Sequence, residues 1–281
     1  MMTPRAIPGW LAAIVEALEL DQKRLVTLGD VRAIRPDLDR AAAHKAVEQL
    51  IRLGWLHRTA VRGTYEFVPG AAAGPYPSGD PWLVLRAEVA RHPDSRPGAI
   101  HAGANSAAWL LGYAERSPAP HIVVAETGTW VPRPLRATYR VLMTSPAPAS
   151  GAAQGIPVPS PPELFAEVAQ LAPRLQLDAA VGWLSRLLGG APTHEVAGAL
   201  ADRSTTTRAR AGFIAEVCGA TAHADAIESI GSVGRGPFYT GPPRRTGVFS
   251  PRWRVYDSGH IARASWAPVG AQRRASTAAG A

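Results

Sequence analysis

Cysteine is nearly absent: Cys218 stands alone among 281 residues. No intrachain disulfide can form, and thiolate-built structural zinc sites are excluded. A chain of this kind fits a reducing cytoplasm. Long apolar runs are lacking as well. Nowhere are 18 apolar residues consecutive, so no transmembrane helix and no membrane partner are expected. The opening MMTPRAIPGW has no apolar stretch behind a basic head, and no secretory signal is expected. Lysine is scarce too: of 30 basic residues only Lys23 and Lys45 are lysines. Beside so many alanines, that bias reads as the imprint of a GC-rich genome and carries little functional weight.

What is present is enough to fold without staples, since 46% of the residues are hydrophobic and the length accommodates two domains. The net charge of +8 is unevenly spread. Residues 235–281 hold eight basic residues against one acidic, whereas residues 71–234 hold twelve against thirteen. A basic excess points toward polyanionic partners. Composition divides the chain into residues 1–68, a Gly/Pro/Ala linker at 69–79, a larger domain at 80–266 and a disordered tail at 267–281. A second Pro/Ala/Ser-rich stretch, Ser145 to Pro162, reads as a long loop.

The first segment carries the clearest pattern. Trp10, Leu11, Ile14, Val15 and Leu18 repeat at helical spacing over Gly9–Leu20. Leu25-Val26-Thr27 is a short extended piece. A short helix capped by Asp30 runs to about Arg35, where Pro36 stops it. A longer helix spans Asp39 to Leu53 and ends at Gly54. Ala43, Val47, Leu50 and Ile51 share its apolar face. Arg40, Ala41, His44, Lys45 and Glu48 share the other. Then Trp55–Val68 reads as a hairpin with Arg62-Gly63 at its turn, and with Tyr65 and Phe67 alternating with polar Thr64 and Glu66.

Helix, short helix, long helix and basic-tipped hairpin is the order of a winged helix-turn-helix. The fold class expected is α+β, with this module followed by a larger mixed α/β domain. In a DNA complex, small and basic residues at the long helix's start approach a major groove, so Arg40, His44 and Lys45 are the reading candidates. Arg58 and Arg62, with Thr64 beside them, are candidates for phosphates or a minor groove. A winged helix can instead dock a protein, and the pattern leaves that reading open.

In the second domain, helices are expected from Asp80, within Ala99–Tyr113, and at 163–171, 175–188, 193–202, 205–217 and 221–230. Strands are expected at His121–Ala125, Thr138–Met143 and Arg252–Tyr256. Arg244, Arg245, Arg252 and Arg254, interleaved with Phe249, Trp253 and Tyr256, form either the charged face of a strand or a second polyanion surface.

The hairpin Gly54-Trp-Leu to Arg62-Gly-Thr-Tyr65, the segment Ser106-Ala-Ala-Trp-Leu-Leu-Gly-Tyr113 and the strand after it together resemble the AbiEi family of antitoxins. Ser204–Phe213 and Phe249–Tyr256 make the likeness strongest to mycobacterial members, over roughly residues 8–257. The resemblance implies a repressor of its own operon that binds inverted repeats in the promoter and neutralises a cognate nucleotidyltransferase toxin of a type IV system. It also implies that the second domain carries antitoxicity and self-association on DNA.

Enzymatic chemistry finds no support. Gly231–Gly236 has neither a preceding strand nor a following G-K-[ST], so it is expected to be a loop rather than a phosphate cradle. His223 and Asp225 lack further ligands for a metal. Glu163 and Glu167 read as a solvated helix face, and Cys218 as a buried structural thiol. No cofactor, metal or catalytic residue is expected.

Overall fold

The computed structural model describes residues 7–72, 79–91, 99–145, 149–243 and 247–262. The expected tail at 267–281, most of the linker at 69–79, and Arg244 and Arg245 lie outside the described residues. The chain forms two compact units, residues 1–96 with 130–138, and residues 97–129 with 139–281.

The first unit opens with α1 (Gly9–Leu20), β1 (Leu25–Thr27), α2 (Leu28–Ile34), α3 (Arg40–Arg52), β2 (Leu56–Arg58) and β3 (Thr64–Phe67). The strands form an antiparallel sheet in the order β1-β3-β2. This is the winged-helix arrangement. Its core joins Leu11, Ile14, Val15 and Leu18 of α1 to Val31, Val47, Leu50, Leu56 and Phe67. Trp10, on the same apolar stripe of the sequence, is 42% exposed instead.

Two local details differ from the sequence expectation. The cap of α2 is Thr27, not Asp30. Thr27 Oγ1 accepts from Asp30 N, and the Asp30 carboxylate accepts from Thr27 N at 2.7 Å, a reciprocal capping box. Burial pulls the Asp30 carboxyl up, but hydrogen bonds from Lys23 and Thr27 outweigh it and hold the group below its ordinary value. A lowered carboxyl contributes stability that is present above its unfolded value and lost as pH falls through the lower folded one. Thr27→Ala is expected to cost about 1 kcal/mol. Denaturant melts should show the Asp30 contribution fading only below pH about 4, and an unchanged midpoint in Thr27→Ala would contradict the assignment.

The second detail is the hairpin's outer face. Thr64 and Glu66 alternate with Tyr65 and Phe67, as expected of a strand, yet both are buried at 3% exposure. Strand β3 is central, and helix α4 (Leu83–Arg91) packs on β1 and β3. No residue of α4 joins the core cluster on the sheet's other side. The sheet is therefore covered on both faces.

The second unit begins with β4 (Ile100–Ala102), α5 (Ala104–Leu110) and β5 (Ile122–Glu126). The chain contributes α6 (Arg133–Thr138) to the first unit, where it packs on α4, before β6 (Arg140–Thr144). Sheet β4-β5-β6 is antiparallel on one side of β5 and parallel on the other. Ile100–Ala102, expected within a helical segment, is thus a strand. The expected loop at Ser145–Pro162 contains a hairpin, β7 (Gly151–Ala153) with β8 (Ile156–Val158). Gln154 and Gly155 form its two-residue turn at φ 53° and 72°, the backbone that matches strand twist.

Five helices follow: α7 (Pro161–Leu171), α8 (Val181–Gly190), α9 (Thr193–Ala201), α10 (Thr205–Val217) and α11 (Thr221–Ser229). A last small sheet joins β9 (Phe238–Tyr239), β10 (Phe249–Ser250) and β11 (Val255–Tyr256) in the order β10-β11-β9. Trp253, fully buried, packs its ring where Gly212 of α10 has no side chain. A Cβ there would sit 2.2 Å from the ring. Among the described residues no helix is long and apolar enough to cross a membrane.

Candidate nucleic-acid interface

The turn between α2 and α3 is held by an arginine. Arg35 grips Asp37 through two bonds of 2.7 and 2.6 Å and donates through Nη1 to Trp10 O at 2.9 Å. The hydrogen bond from Arg35 lowers the Asp37 carboxyl, as it raises the guanidinium. Asp39 then caps α3 by accepting from Ala42 N at 2.7 Å. With Ala43, Ala46, Val47 and Leu50 facing the core, helical geometry turns Arg40, Ala41, His44, Lys45, Glu48 and Arg52 outward, and all six are exposed. Arg52, one turn beyond Glu48, belongs to this stripe. In the sequence its place at the helix's far end sets it apart from the basic group at the helix start.

The hairpin tip is tied by Thr59, whose hydroxyl binds the Thr64 carbonyl at 2.9 Å and Val61 N at 3.1 Å. Val61 folds inward at 1% exposure, leaving Arg62 and Gly63 exposed at the turn. Arg58 is exposed too, but its Nη2 bonds Glu48 Oε1 at 2.8 Å. Thr64 does not join this surface, because its side chain is enclosed by the sheet's cover. Among the described residues, Arg40, His44, Lys45, Arg52 and Arg62 make no ion pair. The result is an open helix face and a wing tip with uncompensated positive charge, built on a rigid core.

The basic C-terminal segment divides differently. Arg252 is surrounded by carboxylates, with Asp225 at 2.6 Å, Glu228 at 2.7 Å and Glu216 at 3.6 Å. The hydrogen bonds that Arg252 donates to Glu228 and then to Asp225 push its guanidinium far above the ordinary arginine value. Arg252 is therefore a structural tie to α10 and α11, and its neighbour Trp253 is core, donating to Glu216 at 2.6 Å. Arg254 remains exposed.

The other groups weighed in the sequence for metal or catalytic chemistry have structural settings. His223 meets the Ala191 carbonyl, and Asp225 holds Arg252. No group of three or more His, Cys, Asp or Glu side chains is placed to hold a metal among the described residues. Burial pushes the Cys218 thiol up to about 11, against a weaker opposing hydrogen bond from Ser185, which keeps it protonated and unreactive at neutral pH. Glu163 pairs with Arg203 at 2.8 Å. Glu167 overturns its expectation: it is fully buried and bonded to His101.

No protein-family model and no curated protein matches the chain. Among solved structures, the crystal structure of the RV2827C protein from Mycobacterium tuberculosis has a TM-score of 0.70 at 22% identity, spanning 91% of this chain and 94% of that one. The chain is similar to that protein in fold over nearly its whole length.

Proposed function

We propose that this chain is a cytoplasmic DNA-binding transcriptional repressor of its own operon and the antitoxin of a toxin–antitoxin pair, without enzymatic activity of its own. The observation that carries the DNA-binding part is the uncompensated basic face of α3 beside the Arg62 wing tip. The sequence's resemblance to AbiEi antitoxins supplies the finer part: inverted repeats in the promoter as operator, and a nucleotidyltransferase toxin as the protein neutralised. Arg40, His44 and Lys45 approach base edges in the major groove, while Arg62 and Arg52 meet phosphates. Arg58 joins them when a phosphate displaces the Glu48 carboxylate, an exchange between exposed groups that costs little.

Binding of the chain to its own upstream DNA, measured at 50 and 200 mM salt, tests this reading. Affinity should fall with a log–log slope of about −0.9 per phosphate engaged, so about four contacts give on the order of a hundredfold loss. Arg62→Ala should weaken operator and random duplex alike. Changes at His44 or Lys45 should act selectively on the operator, by about 1–3 kcal/mol for a good base contact. No shift at low salt would leave protein docking as the role of the winged helix. Growth rescue of cells expressing the neighbouring toxin tests the antitoxin half.

A further inference from the structure

The last small sheet carries an arrangement that the winged helix does not use. Its register sets Phe249 opposite Tyr256, and Tyr256 opposite Tyr239. Cross-strand partners share a face, and the rings form a continuous row. Phe249 and Tyr256 have centroids 4.7 Å apart, and Tyr256 and Tyr239 stack at 5.8 Å. Val255, next in sequence to Tyr256, points the other way and is fully buried, and strands β9 and β11 pack on α10. The aromatic row thus occupies the face turned from the core, with Phe249 41% exposed.

A cleft of about 450 Å³ opens beside this row, lined by Phe249, Tyr256, Pro237, Pro251, Arg235 and Arg254. Both arginines are exposed. Arg254 Nη1 donates to the Arg235 carbonyl at 3.0 Å, and neither guanidinium meets a carboxylate among the described residues. The one acid in residues 235–281, Asp257, is 1% exposed. It is turned inward to accept from Thr240 Oγ1, Ile261 N and Ala262 N. The cleft therefore combines flat π faces with two cations and no accessible negative charge of its own strand segment.

The geometry points to a binding site for single-stranded nucleic acid, separate from the winged helix. A base stacks on the exposed ring of Phe249, at the end of the row that Tyr256 backs, and Arg235 and Arg254 take the flanking phosphates. Stacking platforms framed by cations suit unpaired bases, whose π faces are open, and not a duplex, whose bases already cover one another. An acidic peptide would answer the cations alone and gain little from the ring row.

Fluorescence anisotropy of the full chain with a labelled 12-nucleotide oligouridylate, the matching oligothymidylate and a 12-base-pair duplex tests the proposal. Both single strands share the stacking chemistry, and a gap between them distinguishes RNA from DNA as the source. Phe249→Ala is expected to weaken single-strand binding about tenfold and to leave duplex binding unchanged, and Phe249→Trp to retain it. Arg235→Ala, in the loop before β9, should weaken it several-fold and flatten its salt dependence. That variant carries the test if Phe249→Ala does not fold. Three results would overturn the proposal: no single-strand binding by the parent chain, Arg235→Ala weakening binding while Phe249→Ala does not, or loss of single-strand binding on Arg62→Ala.

Discussion

Glu167→Ala is expected to destabilise the second unit by about 3–5 kcal/mol, the cost of stripping one partner from a buried ionisable pair. Glu167 on α7 has 0% exposure and His101 on β4 has 1%, with Oε2 and Nε2 2.6 Å apart. The other carboxylate oxygen accepts from Ala104 N at 2.8 Å, at the opening of α5, where Ala104 takes the left-handed φ of 47°. One side chain thus fastens a strand, a helix start and a strained residue to the central helix. Removing it takes a buried acceptor from the Ala104 N–H and a charge-bearing partner from the His101 ring, and leaves a void in their place. Glu167→Gln preserves an acceptor for Ala104 N and a polar group against the ring, so it should lose markedly less. Chemical denaturation of both variants is the measurement. A loss below about 1 kcal/mol in the alanine variant would show that water or a rearranged side chain replaces the carboxylate.

The sequence misreads Glu167 for a physical reason. With Glu163 four residues before it, the pair has the spacing of an exposed acidic face, and nothing local says that α7 is enclosed almost all round. Pro162, Leu164, Phe165, Ala166, Val168, Ala169 and Leu171 are buried with it. Burial of that kind is decided by α5, α9 and α10, which come from distant parts of the chain. Arg252 is the same case: its carboxylates come from helices at least 24 residues away. By contrast α1 and α3 are readable to within a residue, because their apolar period, Asp39 and Gly54 are all local signals. The exposed set on α3 follows from helical phase alone. Strands of two or three residues, such as β4, β7 and β9, hold too few side chains to show alternation. The hairpin β7–β8 did carry one legible mark, the Gln154-Gly155 turn.

A fragment ending at Val68 is expected not to fold cooperatively, even though it contains every strand and helix of the winged-helix arrangement. The composition break at residue 69 marks a change of sequence character, yet the first compact unit continues through 96 and takes in 130–138. The stretch after Val68 is anchored at once, with Gly70 N donating to Glu19 of α1 at 2.8 Å. Trp82 and Leu85 follow, at 2% and 0% exposure, and α4 lies on the sheet face that carries Thr64 and Glu66. Cutting at 68 returns that face to water. It also discards two large apolar side chains whose burial contributes about 1.5–3 kcal/mol each. A domain of this size has only a few kcal/mol of stability to lose, so the loss is comparable with the whole. Circular dichroism during a thermal ramp should show a sloping, non-cooperative signal for the fragment and a sigmoidal transition for the full chain. A sigmoidal melt of the fragment with native helix content would mean that the sheet's second face needs no cover, and that α4 is an accessory to the winged helix and not part of its fold.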